Sequence, residues 1–142
     1  MELILWRHAD AEDGKPDLER KLTPKGEKQA KRAAKWLIDH LPEQFSVVAS
    51  PAVRAQQTAA ALGVQVKTVD ALAPGASVEE ILAAAKNRKA VVIVGHQPDL
   101  GRAVAHLVAG VHSEWPIKKG GFWWLSGEAP VVVRAVLSPD LL

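Results

Sequence analysis

The segment AVVIV, residues 90–94, narrows the fold more than any other stretch of the chain. An unbroken apolar run of strand length suits a strand covered on both faces, as in the middle of a parallel sheet flanked by helices. The surrounding pattern agrees. Residues 2–6 (ELILW) and 46–49 (SVVA) also read as strands, and 64–69 (VQVKTV) alternates as a half-exposed strand should. Helical stretches separate them. The expectation is a three-layer α/β/α domain over residues 1–142 with a mostly parallel central sheet. Two last strands, 121–126 and 130–137, are joined by Gly127-Glu128-Ala129-Pro130 and predict a C-terminal antiparallel edge hairpin.

Four helices are expected. In 24–41 the residues Ala30, Ala33, Ala34, Leu37, Ile38 and Leu41 recur at helical spacing on one face. Thr23 suits the N-cap, Pro24 the first helical position, and Glu27 places an acid in the first turn. A second helix, 52–62, is entered through Ser50-Pro51 and stopped by Gly63. A third, 77–86, has Ser77 as N-cap and Glu80 at the capping-box position. The fourth, 98–109, ends at Gly110.

Composition excludes several classes. At 142 residues the chain suits one domain. It has no cysteine, so disulfides, thiolate metal sites and cysteine nucleophiles are ruled out. No apolar run approaches the roughly 20 residues of a membrane-spanning helix. The first strand starts so near Met1 that no signal-type segment fits before it, and a cytoplasmic protein is expected. The net charge of +2 comes without a block of five like charges, which argues against a nucleic-acid partner.

Chemistry concentrates at three strand ends. The first strand runs into Arg7-His8, the second into Ser50-Pro51 and a helix carrying Arg54, and the apolar strand into Gly95-His96. In an open α/β sheet, ligands bind beyond the carboxyl ends of the strands. Two arginines and two histidines gathered there repel one another unless an anion joins them. A phosphoryl group supplies that charge and several acceptors for arginine forks. The arginines argue against a metal at the same place. No Gly-x-x-x-x-Gly-Lys loop is present. His40 sits near a helix end, where it favours the dipole, and neither His106 nor His112 is given a catalytic role.

The same residues carry a resemblance. LWRHADAE, LERKLTPKGEKQA, VVASPAVRAQQTA and VVIVGHQPDLG, in this order between residues 3 and 101, resemble the signature segments of the histidine phosphatase superfamily. The short chain is most similar to its small branch of bacterial phosphohistidine phosphatases. The resemblance implies that His8 is the nucleophile and passes through a phosphohistidine. It implies that Arg7, Arg54 and His96 bind the phosphoryl oxygens, and that neither metal nor cofactor takes part. Ala9 stands where the signature has glycine, and alanine, the smallest alternative, is expected to be tolerated.

Larger members of the family supply a glutamate as general acid, and no residue here clearly matches it. Asp17 and Asp10 are the candidates, and Arg20 is a possible further phosphate ligand. An alkoxide leaving group needs a proton, whereas a protonated phosphohistidine ring departs as neutral imidazole, whose pKa is roughly 6.5. A phosphohistidine-containing protein is therefore the expected substrate. A small phosphorylated molecule acted on by a phosphomonoesterase is the alternative, and a non-catalytic phosphate-binding module the third reading. On a strand Phe122 and Trp124 face one way and Trp123 the other, which reads as core packing with ordinary exposure on the second face; the alternative is that Trp123, with Lys118 and Lys119, forms part of a docking surface.

Overall fold

The computed structural model describes residues 1–128 and 131–142. Its six strands are β1 (Glu2–Arg7), β2 (Ser46–Ala49), β3 (Lys67–Thr68), β4 (Ala90–Gly95), β5 (Phe122–Ser126) and β6 (Val132–Leu137). Four helices accompany them: α1 (Pro24–His40), α2 (Val53–Ala60), α3 (Val78–Ala85) and α4 (Asp99–Ala109). The sheet order is β3-β2-β4-β1-β5-β6. β3, β2, β4 and β1 are parallel, while β5 and β6 run antiparallel at one side.

The apolar run becomes β4, buried at all six positions between β2 and β1. Its side chains alternate between two cores, as a strand with period two requires. Val92 and Val94 face Ala33, Ala34 and Leu37 of α1 and Ala55 and Ala59 of α2. Val91 and Ile93 face Ile81 and Ala85 of α3 and Leu100, Ala103 and Val104 of α4. The three-layer expectation is met. The small residues on the buried faces of α1 and α2 let those helices lie close to the sheet.

Helix ends follow the expected chemistry. Thr23 Oγ1 accepts from the Gly26 amide at 3.0 Å. Ser77 and Glu80 form a reciprocal capping box. Gly110 closes α4 in the left-handed conformation. Two boundaries differ. The strand expected over 64–69 shrinks to Lys67–Thr68, because β2 is short and only Val48 and Ala49 pair with it, leaving Val64 and Gln65 exposed. The last strand begins at Val132. Ala129 and Pro130, in the expected hairpin connection, lie outside the described residues. Among the described residues no helix is long and apolar enough to cross a membrane.

Register brings the strand ends level. Arg7 pairs with Gly95, and Ala49 with Val94. Two hydrogen bonds carry the ladder one residue further: His8 N–H donates to Gly95 O and Ser50 N–H to Val94 O, each at 3.0 Å. The β1-to-β2 connection, through α1, lies on one face of the sheet, and the β3-to-β4 connection, through α3, on the other. The crevice of such a sheet opens where connections leave to opposite faces, here at the ends of β1, β4 and β2.

Candidate active site

Four of the side chains singled out by sequence meet in this crevice. His8 and His96 face each other with ring centroids 5.2 Å apart. Arg54, on the first turn of α2, lies between them. Its Nε donates to His8 Nε2 at 3.3 Å, and its Nη2 approaches His96 Nδ1 at 3.5 Å. All three are buried. Arg7 is half-buried beside them and donates from Nη1 to the Ile117 carbonyl at 2.8 Å. Its Nε is buried without a partner.

The hydrogen bonds fix the tautomers. His8 Nδ1 lies 2.8 Å from the Ala9 carbonyl, which can only accept, so Nδ1 carries the proton. Nε2 is then unprotonated, and its lone pair accepts from Arg54. His96 Nε2 meets Ser50 Oγ at 2.8 Å. Because a guanidinium only donates, His96 Nδ1 accepts from Arg54 and Nε2–H donates to Ser50 Oγ. Ser50 Oγ also accepts from the Ala52 amide at 3.1 Å, which ties the start of α2 to the second histidine.

Electrostatics keep both rings neutral. Burial pushes the His8 pKa down to about 4; Arg54, Arg7 and Arg20 add to the effect, against the opposing Ala9 carbonyl. Burial pushes His96 down to about 3, helped by His8 and Arg54 and opposed by Asp17. At neutral pH the site therefore holds two arginine cations and two neutral imidazoles, each with its lone pair turned to Arg54. A dianion arriving here would favour protonation of the rings.

Asp17 supplies the anion that Arg54 requires. It sits in a 3-10 turn, Asp17–Glu19. Its carbonyl accepts from Arg54 Nη1 at 2.8 Å, and its Oδ2 lies 3.1 Å from Nη2. Arg20 donates to Oδ1 at 3.0 Å and to the Glu12 carbonyl at 2.6 Å. These contacts, Arg20 first and Arg54 second, hold the Asp17 carboxyl below its usual range. Asp10 is likewise held low by Thr23 and Lys119, whose donors reach its two oxygens at 2.7 and 3.0 Å. The two candidate acids are thus ionised and paired, a poor state from which to donate a proton. Arg20 approaches the cluster through Asp17.

The loop carrying Asp10 and Asp17 is pinned by residues that the sequence motifs contain without revealing their task. Gln29 accepts from Asp10 N–H, Gln57 from Leu22 N–H and Thr58 from Ala9 N–H, at 2.8–3.0 Å. Gly26 is required by close approach: a Cβ there would lie 2.0 Å from the Asp10 carbonyl oxygen. Gly101 has the same reason, with the Trp115 carbonyl oxygen 2.0 Å from any Cβ. Gln97 then grips the Trp115 carbonyl and the Gly101 amide, fixing the segment that offers Ile117 to Arg7. Ala9 is fully buried against Leu22 and Ala30. It does not take a positive φ. No strain attaches to alanine in place of glycine.

Trp123, half-buried, packs on Trp115, ring centroids 5.7 Å apart, against the core under α3 and α4. His40 stacks on Trp36 at the end of α1. Among the described residues no three His, Cys, Asp or Glu side chains are grouped to hold a metal ion.

Residues 3–73 match the model of the histidine phosphatase superfamily, branch 1. The chain belongs to this superfamily. An uncharacterised protein of Picosynechococcus sp. is 39% identical over 149 aligned positions, covering 92% of this chain and 88% of that one. A Nakamurella multipartitia protein, provisionally named phosphohistidine phosphatase SixA, is 33% identical with a TM-score of 0.84, covering 97% and 95%. The protein histidine phosphatase SixA, solved with tungstate, shares the fold at a TM-score of 0.87 and 24% identity, over 99% of both chains. So does a phosphoserine phosphatase of Entamoeba histolytica, at 0.73 and 16% identity, over 99% and 98%. Members of the superfamily are phosphatases. The resemblance read from the four motifs is thereby established at the level of family and fold.

Proposed function

We propose that the protein is a phosphohistidine phosphatase acting through a covalent intermediate on His8, without a metal. The observation that carries this reading is the combination of an unprotonated His8 Nε2, held towards Arg54, with two ionised, paired carboxylates where a proton donor would be sought.

In the proposed reaction the substrate phosphoryl group enters between Arg7, Arg54 and His96. His8 Nε2 attacks phosphorus in line with the P–N bond. The bond electrons return to the leaving imidazole, whose other nitrogen already carries a proton, so it departs neutral. His8 becomes a phosphorylated imidazolium, its Nδ1 proton still held by the Ala9 carbonyl. Water then attacks phosphorus, the P–N electron pair returns to Nε2, and both water protons leave with the phosphate, as dihydrogen phosphate. The arginines act electrostatically, on charge that spreads over the phosphoryl oxygens in the transition state. An alkyl phosphate offers a much worse leaving group and would need the acid that this site lacks.

The test is phosphate release from a histidine-containing phosphotransfer domain phosphorylated on its histidine. Wild-type protein should release phosphate and His8→Ala should not. Phosphate binding without His8-dependent release from this substrate or from phosphate esters would mark a non-catalytic module and overturn the reading.

A further inference from the structure

Beside the site lies an open groove of about 680 Å³. It meets the catalytic cluster at Arg7 and runs along the first turns of α1. Arg7, Lys25, Lys28, Arg32, Lys118 and Lys119 line it, with Asp140 as the one carboxylate. That is a formal +5 in a chain whose total is +2, so the remainder of the molecule is net negative. Lys118 and Lys119 pair with Asp140 and Asp10. Lys25, Lys28 and Arg32 are exposed and have no ion pair among the described residues.

Helix stability does not account for these three. Lys25 lies in the first turn of α1, at the positive end of the dipole, where a cation is unfavourable. Lys28 and Arg32 are like charges four residues apart, which also costs helix stability. A surface that keeps cations against local preference, contiguous with an arginine of the phosphoryl site, is built to meet negative charge. Its openness and its spread over α1 and the 118–119 segment suit a surface better than a single small anion.

We propose that this groove docks an acidic surface of the phosphorylated protein, beside the phosphohistidine that enters at Arg7. The proposal rests on the reading of the site as a phosphohistidine phosphatase and names how its macromolecular substrate is chosen. Exposed charges of this kind steer association and impose salt dependence.

The test uses two phosphohistidine peptides of equal length, one flanked by glutamates and one by glutamines, with free phosphohistidine as control. The variant is Lys25→Glu/Lys28→Glu/Arg32→Glu, which leaves the catalytic cluster intact and places an acid at the start of α1, where helices favour it. Wild type should prefer the glutamate peptide by about tenfold or more in kcat/KM at low salt, and less at high salt. The variant should lose this preference while turning over free phosphohistidine within about twofold of wild type. Equal rates of wild type on both peptides, or a preference that survives in the variant, would overturn the proposal. Fluorescence anisotropy with the unphosphorylated glutamate peptide reads the groove apart from chemistry. Should neither the phosphohistidine peptides nor free phosphohistidine be hydrolysed, the functional reading fails, and binding by wild type but not by the variant still supports the acidic-surface site. Absence of binding by wild type overturns it. Saturable binding of inorganic tripolyphosphate without discrimination between the peptides would make the groove a small-polyanion site and overturn the docking proposal.

Discussion

Two groups of cations share Arg7 and are treated in opposite ways by the fold. Arg54 is buried, and its donors go to His8, Asp17 and His96. Lys25, Lys28 and Arg32 are exposed, on one helix, with no ion pair among the described residues. A buried guanidinium must be partnered on every side or it is severely destabilising, so its geometry is set to within a hydrogen bond and suits a single small dianion. Exposed lysines cost little to leave unpaired and hold no fixed geometry. They act through their field, over a distance of about 8–10 Å at ordinary ionic strength. In the proposed function the inner cluster is where chemistry is decided. The outer one bears on which molecule arrives.

The comparison can be broken at several points. The largest effect belongs to His8. Its replacement by alanine should lower turnover of phosphohistidine by at least about a thousandfold and abolish a trapped phosphoenzyme, read by rapid quench and mass spectrometry under alkaline conditions. Arg54→Lys keeps the charge and loses the fork. It should cost about 10²–10³ in kcat, as removal of a transition-state donor does. Salt should not restore this loss, whereas salt should abolish the peptide preference attributed to the outer group.

Asp17→Asn sharpens the account of the inner cluster. If Asp17 is the anion that holds Arg54 between turnovers, the variant should bind tungstate several-fold more tightly, because the incoming dianion no longer displaces a carboxylate. Its kcat on phosphohistidine should stay within about tenfold of wild type. A loss of a hundredfold or more in kcat, with tungstate affinity unchanged, would instead give Asp17 the role of proton donor.

The smallest effect is on pH dependence. His8 and His96 have folded pKa values of about 4 and about 3, against roughly 6.5 for a free imidazole. Between those limits the unfolded chain binds more protons than the folded one. Stability contributed by the neutral rings is complete above about pH 6.5 and falls as pH drops towards 3. His96→Asn should flatten this part of the stability curve. Tungstate, which favours the charged rings, should move their titration upwards, observable in the imidazole signals by NMR.

Much of this was legible in the sequence because it rests on local pattern. The apolar run at 90–94 sets the middle of the sheet, and the short connections after each parallel strand place Arg7, His8, Arg54 and His96 at one edge. Caps at Thr23 and Ser77 are also local, and so are readable. What stayed hidden depends on contacts between distant segments. Nothing near Asp17 in the chain reveals that Arg54, 37 residues on, takes both its carbonyl and its carboxylate. Ser50 reads as a helix-entry residue until β4 brings His96 against it. Gln29, Gln57 and Thr58 were present in the motifs, yet their work is to satisfy backbone amides of the 9–22 loop. The outer groove was invisible because Lys25, Lys28 and Arg32 join Lys118 and Lys119 only in the fold. Trp123 had two possible sides, and the antiparallel register with β1 laid it, half-buried, against the core.

The central claim is that this site favours a P–N bond over an ester bond, because imidazole leaves without an acid and the site's carboxylates are ionised and paired. The most direct measurement is kcat/KM for free phosphohistidine and phosphoserine, side by side, on wild type and His8→Ala. The account predicts His8-dependent turnover of phosphohistidine exceeding that of phosphoserine by about a hundredfold or more, the scale of one missing general acid. Equal or faster His8-dependent hydrolysis of phosphoserine would contradict it and show that a proton donor reaches the leaving group.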